Sequence, residues 1–157
     1  MALVTTSSAH PFGVGSPDDA FVSGLTVAPT QPCRGLVLVR VLGEVDMLTA
    51  PRLGDVLDGA LRTVADDCAV GRDPIAPAQA PSVVCDLEGV TFFGASGLDV
   101  FAAAQQTAAA RGVRLVVVAG CRTVRRPFRL TALDRRIMLT DTHPALAHRR
   151  AQAEAAR

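Results

Sequence analysis

The stretch Val83–Val100, VVCDLEGVTFFGASGLDV, decides the fold. An apolar run (Val83, Val84, Cys85) ends in an acidic pair, Asp86 and Glu88. A second apolar patch, Val90 to Phe93, then meets Gly94-Ala95-Ser96-Gly97-Leu98. The order predicts a buried strand, a tight connection, and a helix that opens among small residues. Small residues at a helix N-terminus leave backbone N–H groups open to a partner or an anion.

Outward from this stretch, strong strand signals alternate with helical ones. Leu36–Leu42 (LVLVRVL) is branched, apolar and bounded by Gly35 and Gly43, which predicts a strand. Arg40 inside it implies one face that is not fully covered. Gly43-Glu44-Val45-Asp46 leads into a helix, with Thr49 as its cap and Pro51 in its first turn, where a missing N–H is harmless. Leu53, Val56, Leu57, Ala60, Leu61 and Val64 form an apolar stripe at helical spacing. Ser82–Leu87 reads as the central strand and Ser96–Ala110 as a helix stopped by Arg111 and Gly112. Arg114–Ala119 is a third strong strand. Arg122–Leu133 is predicted helical despite Pro127. Ile137–Leu139 reads as a short strand, and Asp141 as the cap of a last helix with Pro144 in its first turn. Residues 21–28 are predicted to form an edge strand, with a turn at 29–35.

This alternation predicts an α/β domain, a mixed sheet of four to five strands with helices packed against it. The boundaries are a flexible tail at 1–20, the domain at 21–150 with a mobile loop at 68–81, and a C-terminal tail at 151–157. A chain of 157 residues can bury one real core. With six Phe and no Trp or Tyr, that core must be built of Val, Leu and Ala. The scarcity of aromatics also disfavours a base-stacking surface for single-stranded nucleic acid. All sixteen basic residues are Arg. Residues 1–80 carry net −4 and residues 81–157 net +5, the excess lying mostly between Arg111 and Arg136.

Cys33, Cys68, Cys85 and Cys121 form no CxxC pair, and none lies near a His in sequence, so no metal or thioredoxin-like site is expected. Reduced thiols in a cytoplasmic protein are the simplest account. No segment reads as a signal peptide or approaches the ~20 apolar residues that cross a bilayer, so no membrane insertion is expected.

Four pieces in order resemble the STAS domain of bacterial anti-sigma factor antagonists. Gly43-Glu44-Val45-Asp46 is similar to that family's Gly-Glu-Leu-Asp turn, with Thr49-Ala50-Pro51 following at the usual distance. Val84–Phe92 resembles its central strand and the segment after it. Gly94-Ala95-Ser96-Gly97-Leu98 sits where the family reads Asp-Ser-Ser-Gly-Leu. Val124-Arg125-Arg126, then Leu130–Asp134, resembles its third helix and that helix's ending. The likeness spans roughly residues 20–150. It implies a regulator that binds an anti-sigma factor of the serine kinase type, which switches the complex off by phosphorylating the first Ser of the motif. Here the motif Asp is Gly94 and the acceptor is Ala95, which has no hydroxyl. Ser96 survives, pointing about 100° away around the helix; it is either a helix cap or a substitute acceptor.

The resemblance therefore implies a partner surface of Asp46, Thr49, Gly94, Ala95, Ser96 and Gly97, with Leu98 as the first buried anchor, that binds constitutively. Asp46 can alternatively be a turn residue bonding local backbone. The Arg122, Arg125, Arg126 and Arg129 cluster is either a solvated face or a seat for an acidic partner or phosphate. No recognition helix with base-reading residues stands out, so no nucleic-acid role is expected. His10, His143 and His148 form no motif, no Walker-type loop exists, and Ser96 has no evident base, so neither an enzyme nor a cofactor is expected. The second functional reading is a STAS adaptor in a signalling scaffold or transporter complex, which does not need the hydroxyl. Self-association into a homodimer stays open.

Overall fold

The computed structural model describes residues 24–70 and 80–157. The expected tail at 1–20, the start of the expected edge strand, His10 and most of the 68–81 loop lie outside the described residues. The elements are β1 (Leu25–Cys33), β2 (Leu36–Val45), α1 (Ala50–Val70), β3 (Ser82–Phe93), α2 (Ala95–Ala110), β4 (Arg114–Val118), α3 (Arg122–Leu130), a 3-10 turn (Leu133–Arg135), β5 (Met138–Thr140) and α4 (Pro144–Ala155).

The five strands form one sheet in the order β1-β2-β3-β4-β5. β1 runs antiparallel to β2, and every other pair is parallel. This is the mixed α/β sheet expected, and its parallel pairs are connected through helices as they must be. Strand alternation sorts the side chains into two layers. Val37, Val39, Val41, Val83, Cys85, Leu87, Leu115 and Val117 face one core, filled by α1 (Leu53, Leu57, Leu61), α2 (Phe101, Ala104) and α3 (Val124, Phe128). Leu38, Val84, Val116 and Val118 face the other side, where Leu146 of α4 covers them. The apolar stripe read in α1 is the buried one, and Arg40 is exposed as its place in β2 suggested.

Several boundaries differ from expectation for local reasons. β1 runs through Pro29 and Pro32 to Cys33. An edge strand tolerates proline because its outward N–H groups need no partner, and an irregularity between Thr30 and Cys33 absorbs Pro32. The turn is only Arg34-Gly35, with Gly35 at φ +75°. α1 continues to Val70, three residues into the expected loop. β3 is twice as long as expected, reaching Phe93, because register shifts against β2 carry pairing past Glu88-Gly89. α3 ends at Leu130, where Thr131 closes it and Ala132 turns left-handed at φ 54°. α4 is not capped by Asp141: the Ala145 N–H donates to His143 Nδ1 at 3.2 Å. That helix runs to Ala155, so the expected boundary at 150/151 falls inside it.

Candidate functional site

Two connections meet at the carboxyl ends of β2 and β3, where Val45 and Phe93 are register partners. The first is Asp46–Thr49, before α1; the second is Gly94, before α2. The Gly94 N–H donates to the Val45 carbonyl at 2.8 Å and locks the two together.

The first connection is a hydrogen-bonded knot. Asp46 Oδ1 accepts from the Leu48 N–H at 2.8 Å and the Thr49 N–H at 2.9 Å. The Thr49 hydroxyl accepts from the Asp46 N–H at 2.9 Å and reaches back to the Glu44 carbonyl at 2.8 Å. The Thr49 N–H, with help from that of Leu48 and the Thr49 hydroxyl, holds the Asp46 carboxyl below its usual range. Thr49 stands just before α1, but its hydroxyl faces the preceding turn instead of capping the helix. It is only 3% exposed, so it shapes the surface and offers none to a partner. The turn role of Asp46 is realised in full, and the residue remains half-buried at the rim.

The second connection is tight for steric reasons. A Cβ on Gly97 would stand 2.9 Å from both Phe93 Cζ and Val45 Cγ1. Phe93 cannot retreat, because its ring packs against Phe101 at 6.0 Å and Phe128 at 5.6 Å. Gly97 is thus a close-approach residue, buried like Thr49, and not a contact point. Gly94 is the extended N-cap of α2, and no side chain caps that helix. Ser96 is therefore not the cap: it is the second helical residue, half-buried, while Ala95 is the first and is exposed. Leu98 is only half-buried; Gly97 and Phe101 are the first residues of α2 fully inside.

Of the six expected surface residues, Asp46, Gly94, Ala95 and Ser96 share an accessible ledge, and Thr49 and Gly97 lie beneath it. Three apolar residues beside them went unread in the sequence. Met47 is 79% exposed, Leu48 77% and Phe92 51%. Phe92 closely adjoins Gly94, whose Cβ would lie 3.2 Å from its ring. Strand alternation carries the signal for Phe92, since Phe93 points in and its neighbour must point out. Met47-Leu48 stands between a strand end and a helix start, where no core position exists. Among the described residues no cluster of His, Cys, Asp or Glu is arranged to hold a metal ion. Burial pushes the Cys85 thiol far up, which makes it an inert core group. No described helix is long and apolar enough to cross a membrane.

A family model for the STAS domain matches residues 28–147. The chain belongs to the STAS domain family. The anti-sigma-F factor antagonist RsfB of Mycobacterium tuberculosis is 33% identical over 113 residues, covering 71% of this chain and 80% of RsfB. A crystal structure of an anti-sigma factor antagonist from Mycobacterium paratuberculosis is 30% identical and superposes with a TM-score of 0.59, covering 82% of this chain and 92% of that one. The phosphorylated form of the Bacillus cell fate determinant SpoIIAA shares the STAS fold at 16% identity, with a TM-score of 0.54 over 80% of this chain and 99% of that one. The site described above lies inside the matched STAS segment.

Proposed function

We propose that this STAS domain is an anti-sigma factor antagonist that acts by binding, in the cytoplasm, without catalysis of its own. Its partner is an anti-sigma factor of the serine kinase type, seated on the ledge formed by Asp46, Met47, Leu48, Phe92, Gly94, Ala95 and Ser96. The observation that carries this reading is that exposed apolar residues flank the two joined connections, Met47 and Leu48 in the first and Phe92 beside Gly94 of the second. Large apolar side chains gathered on a surface mark interaction sites, and aromatic anchors supply much of an interface's energy. The names of the relatives favour the same role.

The ledge holds Ala95 where the family resemblance places the phosphate acceptor. A phosphate there would add up to two negative charges beside open N–H groups and change the contact surface. Without a hydroxyl that switch is absent, so binding is constitutive. Ser96 is a poor substitute, being half-buried and turned away from the direction of Ala95.

The test takes the anti-sigma factors of the same genome, purified one by one, and titrates each into the full chain. One should bind with a dissociation constant at or below about 1 μM, or about −8 kcal/mol. Incubating that pair with Mg-ATP and weighing the intact chain should show no added phosphate, whereas Ala95→Ser should gain one. Failure of every anti-sigma factor to bind would defeat the antagonist reading. A stoichiometric phosphate on the unaltered chain would defeat the constitutive one.

A further inference from the structure

α3 has two sharply different faces. Val124 and Phe128, four residues apart, are buried. Arg122, Arg126 and Arg129, at spacings of four and three, project from the opposite face and are exposed. Arg125 is turned aside, donating to the Ala119 carbonyl at 3.3 Å and pairing with Asp141. Arg135 and Arg136 are exposed just beyond the helix. Among the described residues no ion pair engages Arg122, Arg126, Arg129, Arg135 or Arg136, whereas Arg62 pairs with Asp58 and Arg125 with Asp141. Five guanidinium groups without an ion pair among the described residues thus lie within fifteen residues of sequence, against the single acid Asp134.

The place of this face matters. Phe128 stacks on Phe93 with ring centroids 5.6 Å apart, and Phe93 directly precedes Gly94. The basic helix is therefore seated against the base of the docking ledge. Leu130, 76% exposed at the end of α3, adds an apolar point. The patch is local: the whole chain carries only +1 with a pI near 7.7. A chain so balanced gains little from a uniform polyanion such as DNA or a lipid surface, which rewards net basic charge. Thr123 is the only other exposed polar side chain on α3, too few to read bases. A compact acidic patch fits better, since Arg forks pair carboxylates two bonds at a time.

We propose that the Arg122-Arg126-Arg129 face of α3, extended by Arg135 and Arg136, is a second contact surface that receives an acidic patch on the protein docked at the ledge. This rests on the antagonist reading and names the partner's chemistry. The apolar ledge holds the partner, and the arginine face steers it in, so the charges act mainly on the association rate.

The test measures association and dissociation rates of the anti-sigma factor with the full chain at low and high ionic strength. The triple variant Arg122→Glu, Arg126→Glu, Arg129→Glu is compared with Arg111→Glu, Arg114→Glu, Arg157→Glu, which changes net charge equally at exposed sites elsewhere. Circular dichroism checks that each is folded. At low salt the α3 variant should associate about tenfold more slowly, with little change in dissociation, and the gap should close at high salt. The control should follow the unaltered chain. Equal association rates for the unaltered chain and the α3 variant would overturn this proposal and leave the antagonist reading standing. Should no anti-sigma factor bind, that reading falls, and an all-glutamate peptide followed by NMR decides the acidic-patch proposal. Peptide-induced shifts confined to α3 and lost in the α3 variant uphold it. Tighter binding of a DNA duplex or of phosphatidylserine vesicles to the same face overturns it.

Discussion

Ala95 and Gly97 lie two positions apart on one helix turn and do opposite things. Ala95 is exposed and presents a methyl group to whatever docks. Gly97 is buried because the backbone of α2 must approach Val45 and Phe93 within the space of a hydrogen atom. Gly97→Ala should therefore destabilise the fold by about 1–3 kcal/mol, the cost of overpacking a filled core, and do so without touching the exposed ledge. Chemical denaturation checks this, and a variant as stable as the unaltered chain would show that Phe93 and Val45 can move apart. Asp46 and Thr49 were both visible in the sequence as polar residues ahead of a helix. Their division of labour was not, because it depends on which way the Thr49 hydroxyl turns. It turns back to the Glu44 carbonyl, and so Thr49 is a buried fastener.

At the level of elements, the strong signals were those with a single physical cause. β4 and the first half of β2 are branched apolar runs buried on both faces, and α1 has one continuous apolar stripe. Each was legible because hydrophobic period alone determines it. β1 is the edge strand expected, but it runs on to Cys33 where a turn was expected from Pro29, because a proline ends a strand only where its missing N–H would have been paired. α4 offers a similar lesson: Asp141 looked like its cap, yet the helix starts two residues later on His143. Burial lowers the pKa of His143 below its usual 6.5, so the folded state favours the neutral ring that can accept the Ala145 N–H. A depressed folded pKa means the contribution is complete above 6.5 and is lost as pH falls through the lower folded value. Amide exchange at Ala145, Leu146 and Ala147, corrected for intrinsic rates, should thus keep its protection above 6.5 and lose it as the pH falls through the lowered pKa of His143, while α1 holds. Unchanged protection in α4 once the His143 ring is seen by NMR to be protonated would remove His143 from its capping role.

Over the whole molecule, the proposed docking ledge lies at one end of a sheet. The carboxyl ends of the parallel strands β2 and β3 deliver two connections to the same place, and a single Gly94–Val45 hydrogen bond holds them in register. The basic excess read from the sequence is carried largely by α3, whose opposite, apolar face packs through Phe128 onto Phe93. What the sequence alone did not reveal was the apolar character of the ledge. Met47, Leu48 and Phe92 follow no helical stripe, and exposed apolar residues gain meaning only when folding gathers them. The central claim is that a partner covers the exposed N-terminus of α2. Ala95→Glu tests it most directly: an acid in the first turn of a helix complements the helix dipole, so the fold should keep or slightly gain stability. Calorimetric titration of the anti-sigma factor that binds the unaltered chain should then show affinity for Ala95→Glu reduced at least about a hundredfold, close to 3 kcal/mol. An affinity equal to that of the unaltered chain, in a variant shown to be folded, would place the partner elsewhere on the molecule.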